Sequence, residues 1–337
     1  MDSDVRRDAR ESEERRRPVN TRSQPKIPAR FPRFPAMQKA HLLRAPFPYF
    51  GGKAKAASLV WQRFGDGLGN YVEPFFGSGA VYLNRPESFR GLAALNDLSG
   101  HVANFWRAVS ADPDAVAAAA DWPVNELDLQ SRHQWLIDHH DDLAESLRSD
   151  PEYYDARAAG WWAWGASCWI ASGWCAGGKA PCSLPNLRHS MGVHNMRRLS
   201  IVERSTWLRN WCRELQAKLR NARVACGDWR RICTPSTMTR DGVCAVFLDP
   251  PYSLTKAVYQ CDGSGISADV RAWCVENGGN EKLRIALCGH TGEGHEALEA
   301  LGWDVVAWHH GGYQGADDRE RIWFSPACTP RQNLSLL

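Results

Sequence analysis

Eleven cysteines occur in this 337-residue chain, yet no two of them form a CxxC pair. That absence excludes the ligand frame of a zinc ribbon, and an odd count gives no closed disulfide framework. Cys168, Cys244 and Cys288 lie inside apolar stretches and read as reduced, buried small hydrophobes. No run approaches eighteen apolar residues, so no membrane-spanning helix is expected. The first forty residues lack the apolar core of a secretory signal. The expectation is a cytoplasmic protein with no metal and no membrane partner. At 44% hydrophobic and 23% charged residues, the chain is neither collagen-like nor wholly disordered.

What is abundant is tryptophan, sixteen in all. Charge is also uneven beneath a formal net of +3. Residues 1–45 hold twelve Lys/Arg against six Asp/Glu, and residues 151–223 hold eleven against four. The stretches 46–150 and 224–337 are acidic, with net charges of −6 and −4. A polyanion would meet the two basic regions; a solvated basic face is the plainer reading. Residues 1–45 are rich in Arg and Pro and poor in aliphatics, so they read as a disordered basic tail.

From Pro46 the texture becomes that of a folded α/β protein. Strands are expected at 71–75, 91–95, 223–226, 243–248, 283–288, 304–308 and 321–324, with helical stretches between them and a helix near 295–301. Strands alternating with helices imply a largely parallel, Rossmann-like sheet covered on both faces. The stretch from Asn96 to Arg223 is too long for one crossover, so it holds a mainly helical insert.

Two motifs carry the chemistry. Phe75-Phe76-Gly77-Ser78-Gly79 follows the first strand, and glycines there let the backbone turn and lie close to a ligand. Asp97 falls twenty residues after Gly77, at the end of the next strand. A carboxylate there either accepts from both ribose hydroxyls of a nucleoside cofactor or caps the next helix. The second motif, Asp249-Pro250-Pro251-Tyr252, ends a buried strand. Its prolines fix the backbone so that the Asp249 carboxylate and the Pro250 carbonyl point outward as acceptors, with an aromatic face beside them. That group suits a planar ring bearing an exocyclic amine.

Together these motifs resemble the Dam-like, D12-class DNA adenine-N6 methyltransferases, most closely their phage-borne members. Asp249-Pro250-Pro251-Tyr252 is similar to the family's catalytic motif, and residues 72–84 to its cofactor loop. Pro48-Tyr49-Phe50-Gly51-Gly52-Lys53 resembles the segment that brings an aromatic and a lysine to the methionine end of S-adenosylmethionine. Asn96-Asp97 resembles the ribose-binding acid, and Gly227-Asp228-Trp229 the segment flanking the cofactor's adenine. Residues 319–326 resemble the closing strand of phage members.

The resemblance implies a class I S-adenosylmethionine-dependent methyltransferase sheet over 46–110 and 223–330, with a target-recognition insert at 111–222. Its implied cofactor residues are Tyr49, Gly52, Lys53, Glu73, Phe75, Gly77, Gly79, Asp97, Asp228, Trp229 and Asp249. Without it, Lys53 reads as a surface lysine and Asp228 as a turn residue. Glu73 either orients the cofactor's amino group or stabilises the glycine turn. Double-stranded DNA is the implied partner, and Lys179, Arg188, His189, Arg197 and Arg198 in the basic segment are its candidate contacts.

Trp161, Trp162, Trp164, Trp169 and Trp174 crowd into fourteen residues. They read as core packing between insert and sheet, with Trp162 and Trp169 on one helical face; the sharper alternative is stacking on bases exposed by flipping. The activity implied is methyl transfer to adenine N6. Transfer to cytosine N4, to guanine N2 in RNA or to a glutamine amide is the nearest rival, and a DNA-binding regulator with a decayed site is another. A dinucleotide oxidoreductase would need GxGxxG, and position 82, where the third glycine would fall, is Tyr. No separate nuclease segment is seen, so a solitary methyltransferase is expected.

Overall fold

The computed structural model describes residues 42–49, 53–170, 174–175, 185, 192–194, 200–251, 263–307 and 320–330. Seven strands form one sheet: β1 Leu68–Glu73, β2 Leu92–Asp97, β3 Ala222–Cys226, β4 Val243–Leu248, β5 Leu283–His290, β6 Asp304–Ala307 and β7 Glu320–Phe324. Their order is β3-β2-β1-β4-β5-β7-β6. Neighbours from β3 through β5 pair in parallel, whereas β7 is antiparallel to both β5 and β6. This is an α/β sheet of the class I methyltransferase type.

Both faces of the sheet are apolar, as a covered parallel sheet requires. Tyr71, Ala245, Phe247, Ala286, Cys288, Ile322 and Phe324 belong to one core, while Val72, Val246, Leu248, Ile285, Leu287 and Trp323 belong to the other. The period of two sends alternate residues of each strand to opposite faces. That is why β4, Val-Cys-Ala-Val-Phe-Leu, reads as a continuous apolar run with no polar face.

The helices are α1 Ala57–Phe64, α2 Ala80–Leu83, α3 Gly100–Ala111, α4 Pro113–Ala120, α5 Glu126–Asp138, α6 His140–Ser149, α7 Ala156–Cys168, α8 Ile201–Leu219, α9 Pro235–Met238 and α10 Gly263–Asn277. The expected helix at 295–301 is 3-10 over His295–Leu301, ended at Gly302 in a left-handed conformation. Among the described residues, six helices, α3 to α8, lie between β2 and β3. Polar caps start five of them: Ser99 for α3, Asp112 for α4, Asn125 for α5, Asp155 for α7, and a reciprocal Ser200–Glu203 box for α8.

Tryptophan builds the interior of this helical unit. Trp164 is fully buried, and its indole N–H donates to the Trp122 carbonyl at 3.0 Å. The Arg132 guanidinium lies over Trp164 at 4.3 Å, Trp161 at 5.1 Å and Trp122 at 5.4 Å. Arg157 covers Trp135 and Trp161 in the same manner. Trp162 reaches back to the sheet's core, with its ring 4.7 Å from that of Phe47. Trp169 does not share a helical face with Trp162. It is the extended residue that ends α7, and it stacks on His133 instead. Each of the five clustered tryptophans is packed against its neighbours.

Part of the basic excess in 151–223 is consumed within this unit. Arg213 of α8 bonds Asp114 of α4 at 2.7 Å, and Arg204 meets Asp121 at 3.1 Å. The acidic first half and the basic segment therefore partly neutralise one another.

Candidate active site

The sheet order changes direction at β1 and β4, which lie side by side while their following connections run to opposite flanks. A crevice at the carboxyl ends of such strands is where open α/β sheets take ligands. The loop after β1 and the segment after β4 both open there.

The β1 loop is shaped by two glycines. Gly77 has φ +45° and Gly79 φ +63°, a region that side chains disfavour. Space is equally restrictive: a Cβ on Gly77 would strike the Tyr49 ring, and one on Gly79 would lie 2.5 Å from the Phe76 ring. Backbone bonds tie the loop to β2, with the Phe76 amide donating to the Asn96 carbonyl at 2.8 Å. Trp106 of α3 donates to the Gly77 carbonyl at 2.8 Å.

Asp97 is neither a free ribose acceptor nor the cap of α3. One carboxylate oxygen accepts from the Gly77 amide at 2.8 Å and the other from the Ser99 amide at 2.9 Å, while Ser99 itself caps the helix. Burial raises Asp97 to about 6 against the pull of those two amides. Each oxygen keeps a further lone pair, so the residue braces the loop and retains acceptor capacity.

Glu73, the last residue of β1, is buried and accepts from the Tyr71 hydroxyl at 2.7 Å. Burial pushes its carboxyl well above the usual range; the Tyr71 bond pulls against that, and Asp249 and Asp97 add to it. The hydroxyl that Glu73 accepts from lies on its own strand rather than in the glycine turn.

An aromatic wall stands beside the loop. Trp229, after β3, is buried with its ring 6.0 Å from that of Phe75. Asn96 links the two segments by donating to the Pro74 and Gly227 carbonyls at 3.1 and 2.9 Å. Asp228 is half exposed, and its side chain accepts from the Arg230 amide.

Asp249 lies at the end of β4 with Lys53 against it. The Lys53 ammonium is 3.3 Å from Asp249 Oδ2 and 2.8 Å from Glu320 Oε1. Lys53 is 2% exposed, so it is no surface lysine. Burial alone would lower its pKa, but the acidic groups around it, Asp249 foremost, hold it above the ordinary value. Cys288 of β5 is buried nearby, and burial likewise pushes its thiol up, so it stays protonated. Glu320 had no role in the sequence reading; its one signal is a carboxylate just ahead of the apolar run Ile322-Trp323-Phe324.

Gly52, Tyr252, Lys179, Arg188, His189, Arg197, Arg198 and residues 1–41 of the expected tail lie outside the described residues, whereas Leu43 and Ala45, at the end of that expected tail, are buried in the core of the sheet. Among the described residues, no group of three or more His, Cys, Asp or Glu is placed to hold a metal ion, and no helix is long and apolar enough to cross a membrane.

The family model for D12 class N6 adenine-specific DNA methyltransferases matches residues 49–179. The chain is an adenine-specific DNA methyltransferase. The matched stretch takes in Tyr49, Lys53, the glycine loop, Asp97 and the helices through α7, while Asp249 and Glu320 lie beyond it. DNA is therefore the substrate and a methyl donor the co-substrate of this methyltransferase. No curated protein gives a match to the chain.

Proposed function

We propose that the enzyme transfers a methyl group from S-adenosylmethionine to N6 of an adenine flipped out of duplex DNA. The observation that carries this reading is the juxtaposition, on adjacent strands, of a glycine loop braced by Asp97 and an Asp-Pro-Pro segment whose carboxylate is held by a buried lysine.

The residues present fit that cofactor. Gly77 and Gly79 keep the loop free of side chains, and Asp97 retains lone pairs for ribose hydroxyls. Phe75 and Trp229 offer an apolar face for a purine. The Trp229 indole N–H and Asn96 Oδ1 are buried without partners beside that face, so polar groups of a ligand would satisfy them. S-adenosylmethionine, when bound, supplies an electrophilic methyl on sulfur.

The chain's own task concerns the target amine, a poor nucleophile because its lone pair is delocalised into the ring. Acceptance of its two hydrogens by the Asp249 carboxylate and the Pro250 carbonyl favours a pyramidal nitrogen with the lone pair directed at the methyl. Pro250 and Pro251 fix these acceptors, so orientation supplies much of the acceleration. Tyr252 is assigned to stack on the flipped base. The basic tail 1–45 and the insert 111–222, with Lys179, Arg188, His189, Arg197 and Arg198, are assigned to the DNA backbone and bases. A DNA substrate also agrees with the expected cytoplasmic setting, and the closing strand with a phage-borne enzyme.

The test is Asp249→Ala. Glu320 still pairs Lys53 in that variant, so fold and cofactor binding persist while transfer of tritiated methyl to DNA is abolished. Full activity would overturn the assignment. Nucleoside analysis of the wild-type product should return N6-methyladenine; N4-methylcytosine would replace adenine by cytosine as the target.

A further inference from the structure

Asp249 does not face Lys53 alone. The ammonium lies between two carboxylates and sits closer to the one that is not in the Asp-Pro-Pro motif: 2.8 Å to Glu320 against 3.3 Å to Asp249. Glu320 is fixed there by its strand. It opens β7, which runs antiparallel to β5 and pairs Glu320 with His290, so the first residue of β7 reaches the edge where the parallel strands end. All three side chains are largely shielded, at 2%, 10% and 20% exposure for Lys53, Glu320 and Asp249.

Stability does not call for such an arrangement. Buried ion groups are often matched or exceeded by well-packed apolar residues of similar volume, and Ile322, Trp323 and Phe324 of the same strand are buried apolar residues. The chemistry does call for it. A lysine closed on Asp249 alone would neutralise the carboxylate that has to engage the target amine. Shared between two carboxylates and closer to Glu320, the same ammonium orients Asp249 without being spent on it alone.

We propose that Glu320 is a positioning residue for methyl transfer: it draws the Lys53 ammonium toward itself, so that Asp249 is held in place yet stays negative toward the amine. During transfer the N6–methyl bond forms as the sulfur–methyl bond breaks, the sulfur leaves as a neutral thioether, and the positive charge that develops on the nitrogen is discharged when it gives up a proton to solvent; a preorganised negative group beside that nitrogen favours the step. The proposal rests on the reading that Asp249 engages the amine.

The experiment uses the full chain, tritiated S-adenosylmethionine and adenine-unmethylated genomic DNA, with Glu320→Gln, Glu320→Asp and Asp249→Ala measured alongside wild type. Glu320→Gln keeps size and removes charge; kcat should fall on the order of a hundredfold, as for a displaced catalytic group, while KM for S-adenosylmethionine and the melting temperature stay near wild type. Glu320→Asp, which restores the charge on a shorter arm, should recover part of the loss and serves as the reporter if Glu320→Gln does not fold. Wild-type kcat in Glu320→Gln, a loss confined to KM, or no recovery in Glu320→Asp overturns the role of Glu320. If Asp249→Ala is inactive in the same series, the reading of Asp249 survives that failure. Full activity of Asp249→Ala overturns both.

Discussion

The carboxyl edge of the sheet and the helical unit between β2 and β3 bury charge in opposite ways. At the edge, Lys53 is matched by carboxylates, and Asp249 and Asp97 raise the cost of ionising Glu73. In the helical unit, Arg132 is buried against three indole rings, and the carboxylate that acts on it, Asp128, lies on its own helix. The first arrangement keeps ionised groups available to a ligand. The second uses cations to fill space between aromatic faces. Function and packing therefore draw on the same residue types, distinguished by what surrounds them.

The contrast breaks most sharply at Trp164. Trp164→Ala removes a fully buried indole and should cost about 3–5 kcal/mol in chemical denaturation, with S-adenosylmethionine affinity unchanged in the molecules that remain folded. A matching loss of affinity would mean that the two regions are coupled.

Asp97 gives the next largest effect, and in the opposite sense. Its folded pKa, about 6, lies above the ordinary carboxylate value. The native state therefore holds a proton that the unfolded chain has released between about pH 4 and 6, and the stability due to this group falls as pH rises through that window. Cofactor affinity should move the other way, because the ionised form is the better acceptor for ribose hydroxyls. Calorimetric titration should show S-adenosylmethionine binding about tenfold weaker at pH 5 than at pH 7. A flat profile would remove Asp97 from the ribose site.

The smallest change is expected at Arg132. Arg132→Met keeps a flexible filler and loses only the cation over the rings, so denaturation should register about 1 kcal/mol. A cost as large as that of Trp164→Ala would make the cation, rather than the indoles, the organiser of the unit.

Much of the sheet was legible. Val243–Leu248 and Leu283–Cys288 announce buried strands, because parallel strands covered on both faces must be apolar throughout. The order of the last two strands was not legible. Nothing in Asp304–Ala307 or Glu320–Phe324 says that β7 inserts between β5 and β6, since strand order is decided by packing between distant segments. Trp169 shows a limit of periodicity: seven-residue spacing predicts one helical face only while the helix continues, and α7 ends at Cys168. In the site, the glycine loop and the Asp-Pro-Pro segment are local and could be read. The partnership of Lys53 with Glu320 joins nearly opposite ends of the chain, and no local pattern records it.

The reversed direction of β7 also bears on the order in which the protein is made. Every other charged group of the site precedes residue 250, so the loop, Asp97, Lys53 and Asp249 have all left the ribosome well before the final strand is synthesised. Until that strand pairs with β5, Lys53 lacks its closer carboxylate. On the proposed role of Glu320, a nascent or truncated chain would bind its cofactor before it could turn over, and competence would arrive with the last strand of the sheet.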